Sequence, residues 1–143
     1  MNHESPKLIN GGVFTDERGE LQFVNEFDMS IVKRMYFISH PSTETIRAWQ
    51  GHTMEKRWFY CVKGNFIVKL VKIDNWEYPS DACQLFEYQL SEHNPQVLYI
   101  PNGYVNGFKA NKVGSKLLIM SDYSLGEIKN DNYRFKSNKW TNW

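Results

Sequence analysis

No stretch of this chain approaches the roughly 20 consecutive apolar residues that a bilayer-spanning helix needs, so no membrane span is expected. Neither sign of charge dominates. Seventeen lysines and arginines face sixteen aspartates and glutamates, for a formal net charge of +1. That balance argues against a broad electrostatic grip on nucleic acid or an anionic membrane, although local clusters remain able to hold a phosphorylated small molecule. Cysteine is scarce. Cys61 and Cys83 fall in segments that read as strands, and they are expected to be reduced core residues rather than a disulfide or a metal pair. Residues 1–10 hold Glu4, Pro6 and Lys7 and no apolar stretch, so they do not read as a signal peptide, and a cytoplasmic location is expected. Repeats, low-complexity tracts, linkers and long helical periodicity are all missing. With 143 residues, the expectation is one domain over 1–143, with one core and a short C-terminal tail.

Apolar and aromatic residues are plentiful, at 41% and 15%. Turn signals recur, among them Asn10-Gly11-Gly12, His40-Pro41-Ser42, Lys63-Gly64-Asn65 and Pro101-Asn102-Gly103. Between them lie short runs rich in β-branched and aromatic residues, at 21–24, 32–38, 58–62, 66–73, 83–90, 97–100 and 116–120. Short strands punctuated so regularly predict an all-β, antiparallel sandwich or barrel. Residues 66–73, apolar but for Lys69 and Lys72, predict a central strand, and Lys63-Gly64-Asn65 predicts a tight hairpin to the strand before it. Residues 72–78 read as a helical turn or a loop. The polar tail after Gly126 carries Tyr133, Phe135, Trp140 and Trp143, expected to pack back on the barrel or against a second subunit rather than to bind a ligand.

Two stretches carry the chemistry. One is Arg47-Ala48-Trp49-Gln50-Gly51-His52, continuing through Arg57-Trp58-Phe59-Tyr60-Cys61-Val62-Lys63-Gly64; the other is Pro101-Asn102-Gly103-Tyr104-Val105-Asn106-Gly107-Phe108. Together with Asp16-Glu17-Arg18-Gly19-Glu20-Leu21, the run from Val32 to Ile38, and Ser121-Asp122-Tyr123, they resemble the cupin superfamily. Within it the pattern is most similar to the sugar-nucleotide branch: the dTDP-4-dehydrorhamnose 3,5-epimerases and the WxcM-like dTDP-4-keto-6-deoxyglucose 3,4-ketoisomerases. The resemblance implies a jelly-roll barrel, a homodimer, no cofactor, and a nucleotide-linked sugar, dTDP-linked by preference, as substrate.

A metal-binding cupin takes histidine at two places where this chain has Gln50 and His52, a glutamate where it has Lys56 or Arg57, and a further histidine where it has Asn106. One good ligand remains beside two cations, so no metal is expected. The sugar-nucleotide enzymes remove a proton from carbon next to a ketone. That chemistry needs a base near neutral pKa and a positive group on the forming enolate oxygen. The resemblance places the epimerase base at Gln50 and its tyrosine acid near Leu118. Neither can act, which turns the reading from 3,5-epimerization toward ketoisomerization or single epimerization.

His52 then becomes the candidate base, Tyr36 its partner acid and Arg57 the enolate-stabilising cation. Arg47 and Arg18 match positions near a diphosphate. Gln50 and Asn106 are candidates to bind sugar hydroxyls, Tyr123 to stack on base or sugar, and Asp122 to orient a neighbour. Each has an ordinary structural alternative: a barrel histidine, a half-buried tyrosine, surface arginines, or polar filler. His3, His40 and His93, in terminal or turn-like segments, are assigned no role. A second class of function stays open, namely a barrel that binds a sugar nucleotide and has lost the chemistry. A metal dioxygenase is disfavoured by the missing ligands.

Overall fold

The computed structural model describes residues 4–127 and 129–143; His3 lies outside them. The described residues form strands and no helix: β1 Lys7–Asn10, β2 Gly12–Asp16, β3 Gly19–Phe23, β4 Arg34–Ser39, β5 Ile46–His52, β6 Arg57–Lys63, β7 Asn65–Lys72, β8 Leu85–Ser91, β9 Gln96–Ile100, β10 Tyr104–Ala110, β11 Lys116–Ser121 and β12 Tyr133–Arg134. One sheet runs β1-β9-β6-β11-β4, a second β12-β5-β10-β7-β8, and β2-β3 stands apart as a hairpin. From β4 to β7 and again from β8 to β11 the chain alternates between the two large sheets, β7 and β8 being neighbours in the second, and every pairing is antiparallel. This is the jelly-roll form of the expected all-β fold.

The alternation of side chains along each strand sorts residues into three layers. Between the sheets lies the main core, with Phe59, Phe66, Leu70, Leu90, Leu98 and Leu117 fully buried. Trp58, Val97, Tyr99 and Met120 form a second cluster on the outer face of the first sheet. Trp49, Val71 and Val105 form a third on the outer face of the second. The C-terminal tail covers this last cluster. Trp49 donates from Nε1 to the Lys139 carbonyl at 2.9 Å, and its ring meets those of Trp140 and Trp143 at 5.5 and 5.4 Å. Lys69, which interrupts the apolar run of β7, reaches out under the tail. Its Nζ donates to Thr141 Oγ1 at 2.9 Å and to the Asn142 carbonyl at 3.2 Å, beneath the Trp143 ring. The tail therefore folds back on its own barrel.

Several expectations are corrected. The turn at Lys63-Gly64-Asn65 is no hairpin: β6 pairs with β9 and β11, while β7 pairs with β10 and β8, so Gly64 turns the chain from one sheet into the other. Its φ is +73°, and a Cβ there would collide with Ser115 Oγ. Gly64→Ala is expected to destabilise the fold by about 2–3 kcal/mol through left-handed backbone strain and that clash, read as a lowered urea midpoint. Cys83 lies before β8 rather than in a strand, half-buried against the third cluster with its thiol donating to Asp74 Oδ1, while Cys61 is buried in the main core. Of the two readings of residues 72–78, the loop is the one seen after β7 ends at Lys72. His40 follows β4 as a turn residue should, yet its ring is buried between Phe66 and Phe108.

Candidate active site

β5 and β10 lie side by side, with His52 opposite Tyr104 and Gln50 opposite Asn106. The i, i+2 spacing of Gln50 and His52 turns both toward the interior. A register shift between Asn106 and Phe108 then sets Arg47 opposite Phe108. From the facing sheet, β4 brings Arg34 and Tyr36, and β6 brings Arg57. Trp58 and Phe59 follow Arg57 directly in its strand, which carries the guanidinium inside: Arg57 is 5% exposed.

These residues surround two neighbouring cavities. One, of about 450 Å³, is lined by Arg47, Asn106 and Arg134 above an apolar floor that includes Ile38, Phe108 and Ile119. The other, of about 280 Å³, is lined by His52, Glu55, Arg34 and Asn132. Tyr36, Gln50 and Arg57 line both. His52 lines the smaller cavity, Arg47 and Asn106 the larger, and the shared residues Tyr36, Gln50 and Arg57 are where the two adjoin.

His52 is 6% exposed. Its Nδ1 lies 2.6 Å from the Asp131 carbonyl, which can only accept, so Nδ1 carries a hydrogen and Nε2 is the basic nitrogen of the neutral ring. Nε2 is buried and has no hydrogen-bond partner among the described residues. Burial first and the Arg57 guanidinium second push the His52 pKa below its ordinary value; Glu55 and the Asp131 carbonyl push the other way. The ring is therefore neutral at neutral pH, in the form a base requires.

Arg57 is heavily committed. Its Nε donates to Glu55 Oε2 and its Nη1 to the Tyr36 hydroxyl, each at 2.5 Å. One terminal nitrogen, Nη2, is left for an oxyanion. Because Tyr36 accepts from Arg57, its own hydroxyl hydrogen is available for another acceptor. Arg34 adds a second guanidinium 5.0 Å from the Tyr36 ring centre. Gln50 donates to Asn132 Oδ1 at 2.9 Å, which fixes its amide at the chamber wall.

Not every candidate reaches the cavities. Arg18 sits on the β2-β3 hairpin, 80% exposed at its side chain and paired with Asp16 at 2.6 Å. Tyr123 lies outside both chambers, with the Lys33 ammonium 6.0 Å from its ring centre. Asp122 accepts from the Lys56 amide at 2.8 Å and so does orient a neighbour. Leu118 belongs to the outer cluster of the first sheet, while the adjacent Ile119 lines the larger chamber. Leu118 is therefore not a vacancy in the site, because its side chain faces away from it. His93 is exposed.

Sequence reasoning misses Glu55, Asp131, Asn132, Arg34 and Arg134. Glu55 alone has a local signal, since it stands two residues before Arg57. Asp131 has none. Its carboxylate accepts from Thr53 N at 2.6 Å, Thr53 Oγ1 at 2.5 Å, Met54 N at 3.1 Å and Glu55 N at 3.0 Å, joining segments 76–78 residues apart. Among the described residues, no group of three or more His, Cys, Asp and Glu side chains converges as an ion would require. No helix among them is long and apolar enough to cross a membrane.

Three similarities bear on this arrangement. The probable low-salt glycan biosynthesis epimerase Agl13 of Haloferax volcanii is 29% identical over 117 residues, covering 78% of this chain and 71% of that protein. A histidine-to-asparagine mutant of the 3,4-ketoisomerase QdtA of Thermoanaerobacterium thermosaccharolyticum, solved in complex with TDP-4-keto-6-deoxyglucose, superposes with a TM-score of 0.70 at 20% identity, over 94% of this chain and 90% of that one. The rmlC epimerase of Mycobacterium tuberculosis superposes with a TM-score of 0.79 at 13% identity, over all of this chain and 76% of that one. At such identities the two structures establish the shared cupin-type barrel and no more. The family model described as FdtA, WxcM-like, C-terminal matches residues 4–140, nearly the whole sequence, and the chain belongs to that family.

Proposed function

We propose that this protein is a metal-free isomerase or epimerase of a nucleotide-linked 4-keto-6-deoxy sugar, dTDP-linked by preference, acting in deoxysugar biosynthesis. The observation that carries the reading is the unpartnered Nε2 of a neutral, buried imidazole facing a chamber whose other walls hold Arg57 and Tyr36. A base, a cation and a proton donor are the parts that enolization of a ketone demands. The epimerase and ketoisomerase names among the relatives support the same class.

In the proposed reaction His52 Nε2 takes the proton from C3. The C3–H bonding pair becomes the C3–C4 double bond, and the carbonyl pair moves onto the C4 oxygen beside Arg57. Tyr36 or a water supplies a proton. Return of a proton to the other face of C3 gives an epimer. Loss of the 3-hydroxyl proton with protonation at C4 gives the 3-keto isomer. Guanidinium groups of Arg47 and Arg134 in the larger chamber suit a diphosphate through paired N–H donors, which would leave the sugar for the chamber holding His52. Gln50, which lines both chambers, supplies hydrogen bonds for its hydroxyls, Asn106 does so for the part of the substrate in the larger chamber, and Arg18 and Tyr123 would meet the substrate only if contributed by a second subunit.

A homodimer fits the exposed apolar side chains. Phe14 and Leu21 on the hairpin, and Met35 and Phe37 on edge strand β4, are each more than half exposed, a pattern that marks contact surfaces. Two free cysteines suit the reducing cytoplasm.

The test is solvent exchange. Incubated with dTDP-4-keto-6-deoxyglucose in deuterated water, the protein is expected to place deuterium at C3, with a rate whose acid limb lies below the ordinary histidine pKa of about 6.5. Tight nucleotide binding without exchange, in folded protein, would replace the enzyme by a sugar-nucleotide-binding barrel.

A further inference from the structure

A base placed among guanidinium groups has a difficulty that the proposed reaction must overcome. When His52 takes a proton it becomes a cation next to Arg57, in a site where burial already disfavours charge. Arg34 stands close by, and its Nε is buried without a hydrogen-bond partner among the described residues. Water cannot screen the three groups effectively, since the His52 and Arg57 side chains are each 7% exposed and that of Arg34 is 24% exposed.

One atom answers all three. Glu55 Oε2 lies 2.5 Å from Arg57 Nε, 3.8 Å from an Arg34 terminal nitrogen and 4.0 Å from His52 Nε2. The Glu55 side chain is itself 11% exposed. Its backbone is held by a separate contact, the amide donating to Asp131 Oδ2 at 3.0 Å. The carboxylate is thus fixed at the centre of two permanent cations and a third group that becomes a cation during the reaction. No other acidic side chain approaches His52 Nε2 closely enough to form an ion pair among the described residues. Around the ring the remaining charged or titratable neighbours are Tyr36 from β4 and Asp131. Asp131 offers the ring its carbonyl and turns its carboxylate to the amides of residues 53–55.

We propose that Glu55 is the positioning residue of the site: it holds Arg57 toward Tyr36 and supplies the counter-charge that lets His52 carry the abstracted proton. This rests on the isomerase reading above and adds a residue to it. Glu55 exchanges no proton with substrate in this scheme. An opposite charge some 4–6 Å from a titrating group commonly moves its pKa by about 1–3 units.

The experiment compares wild type, Glu55→Gln and Glu55→Asp by two readouts. One is the midpoint of the His52 ring nitrogens followed by ¹⁵N NMR; the other is the pH profile of deuterium exchange at C3. Glu55→Gln is expected to lower the His52 midpoint by about one unit or more, to move the acid limb of exchange down with it, and to reduce the plateau about tenfold, because a weaker base removes a carbon-bound proton more slowly. Glu55→Asp, which keeps the charge on a shorter stem, is expected to lie between the two. A midpoint and limb that stay in place in folded Glu55→Gln would overturn the assignment while leaving the isomerase reading standing. If Glu55→Gln does not fold, Glu55→Asp takes its place in the comparison, and an unmoved limb there again overturns the assignment. Wild-type protein that exchanges no deuterium would instead overturn the isomerase reading, and this inference with it.

Discussion

Replacing His52 by alanine is expected to lower deuterium exchange at C3 by about 10²- to 10⁴-fold, the range over which a positioned general base contributes. Affinity for dTDP, measured calorimetrically, should change by less than about threefold. The separation of effects follows from the chambers: Arg47, Asn106 and Arg134 line the larger one, and His52 lines only the smaller. Alanine also strips the Asp131 carbonyl of its ring partner, a loss of about 1 kcal/mol. His52→Asn, checked for cooperative unfolding, therefore accompanies it as a variant that keeps a side-chain donor and removes the imidazole. Exchange that survives in both variants would show that another group abstracts the proton, and the base would have to be sought elsewhere in the cavity.

Asp131→Ala carries the second large expected effect, and it falls on stability before chemistry. Four donors lose their acceptor together: the amides of Thr53, Met54 and Glu55 and the Thr53 hydroxyl. An unsatisfied, partly buried donor costs about 1–3 kcal/mol. Some of these would recover a water, so a total near 3–5 kcal/mol is expected, visible as a lowered urea midpoint with an unchanged slope. Exchange should fall as well, because the 53–55 segment carries Glu55 beside His52 and Arg57. Asp122→Ala is the internal comparison. The Asp122 side chain accepts from one amide, that of Lys56, and its loss should cost about 1 kcal/mol. Equal effects from the two substitutions would mean that Asp131 does not organise the loop.

Strands are legible where one face is apolar over several residues. β7, β9 and β11 bury Phe66, Leu98 and Leu117 in the main core, and their composition announces them. β5 and β10 do not read as strands, although their motifs stand out. Both carry the site, so Gln50, Gly51 and His52, and Asn106 and Gly107, stand where a strand pattern calls for apolar residues. The short strands β1 and β2 bury too little to show a pattern. At Leu118 the difficulty is one of parity. Neighbouring residues on a strand face opposite sides, so an alignment off by one position puts the wrong side chain in the cavity, and Ile119 is the residue that lines it.

Sequence alone determined the all-β character and the family resemblance, because strand alternation and short-range motifs are local properties of the chain. Only the tertiary structure decided that Arg18 and Tyr123 lie outside the two adjoining cavities, that Lys63-Gly64-Asn65 joins two sheets, and that Asp131 and Glu55 frame the imidazole. The reason is distance along the chain. Hydrogen bonds from Asp131 to residues 52–55 span 76–79 positions. Nothing in the local composition of a polar tail records which loop it will close on.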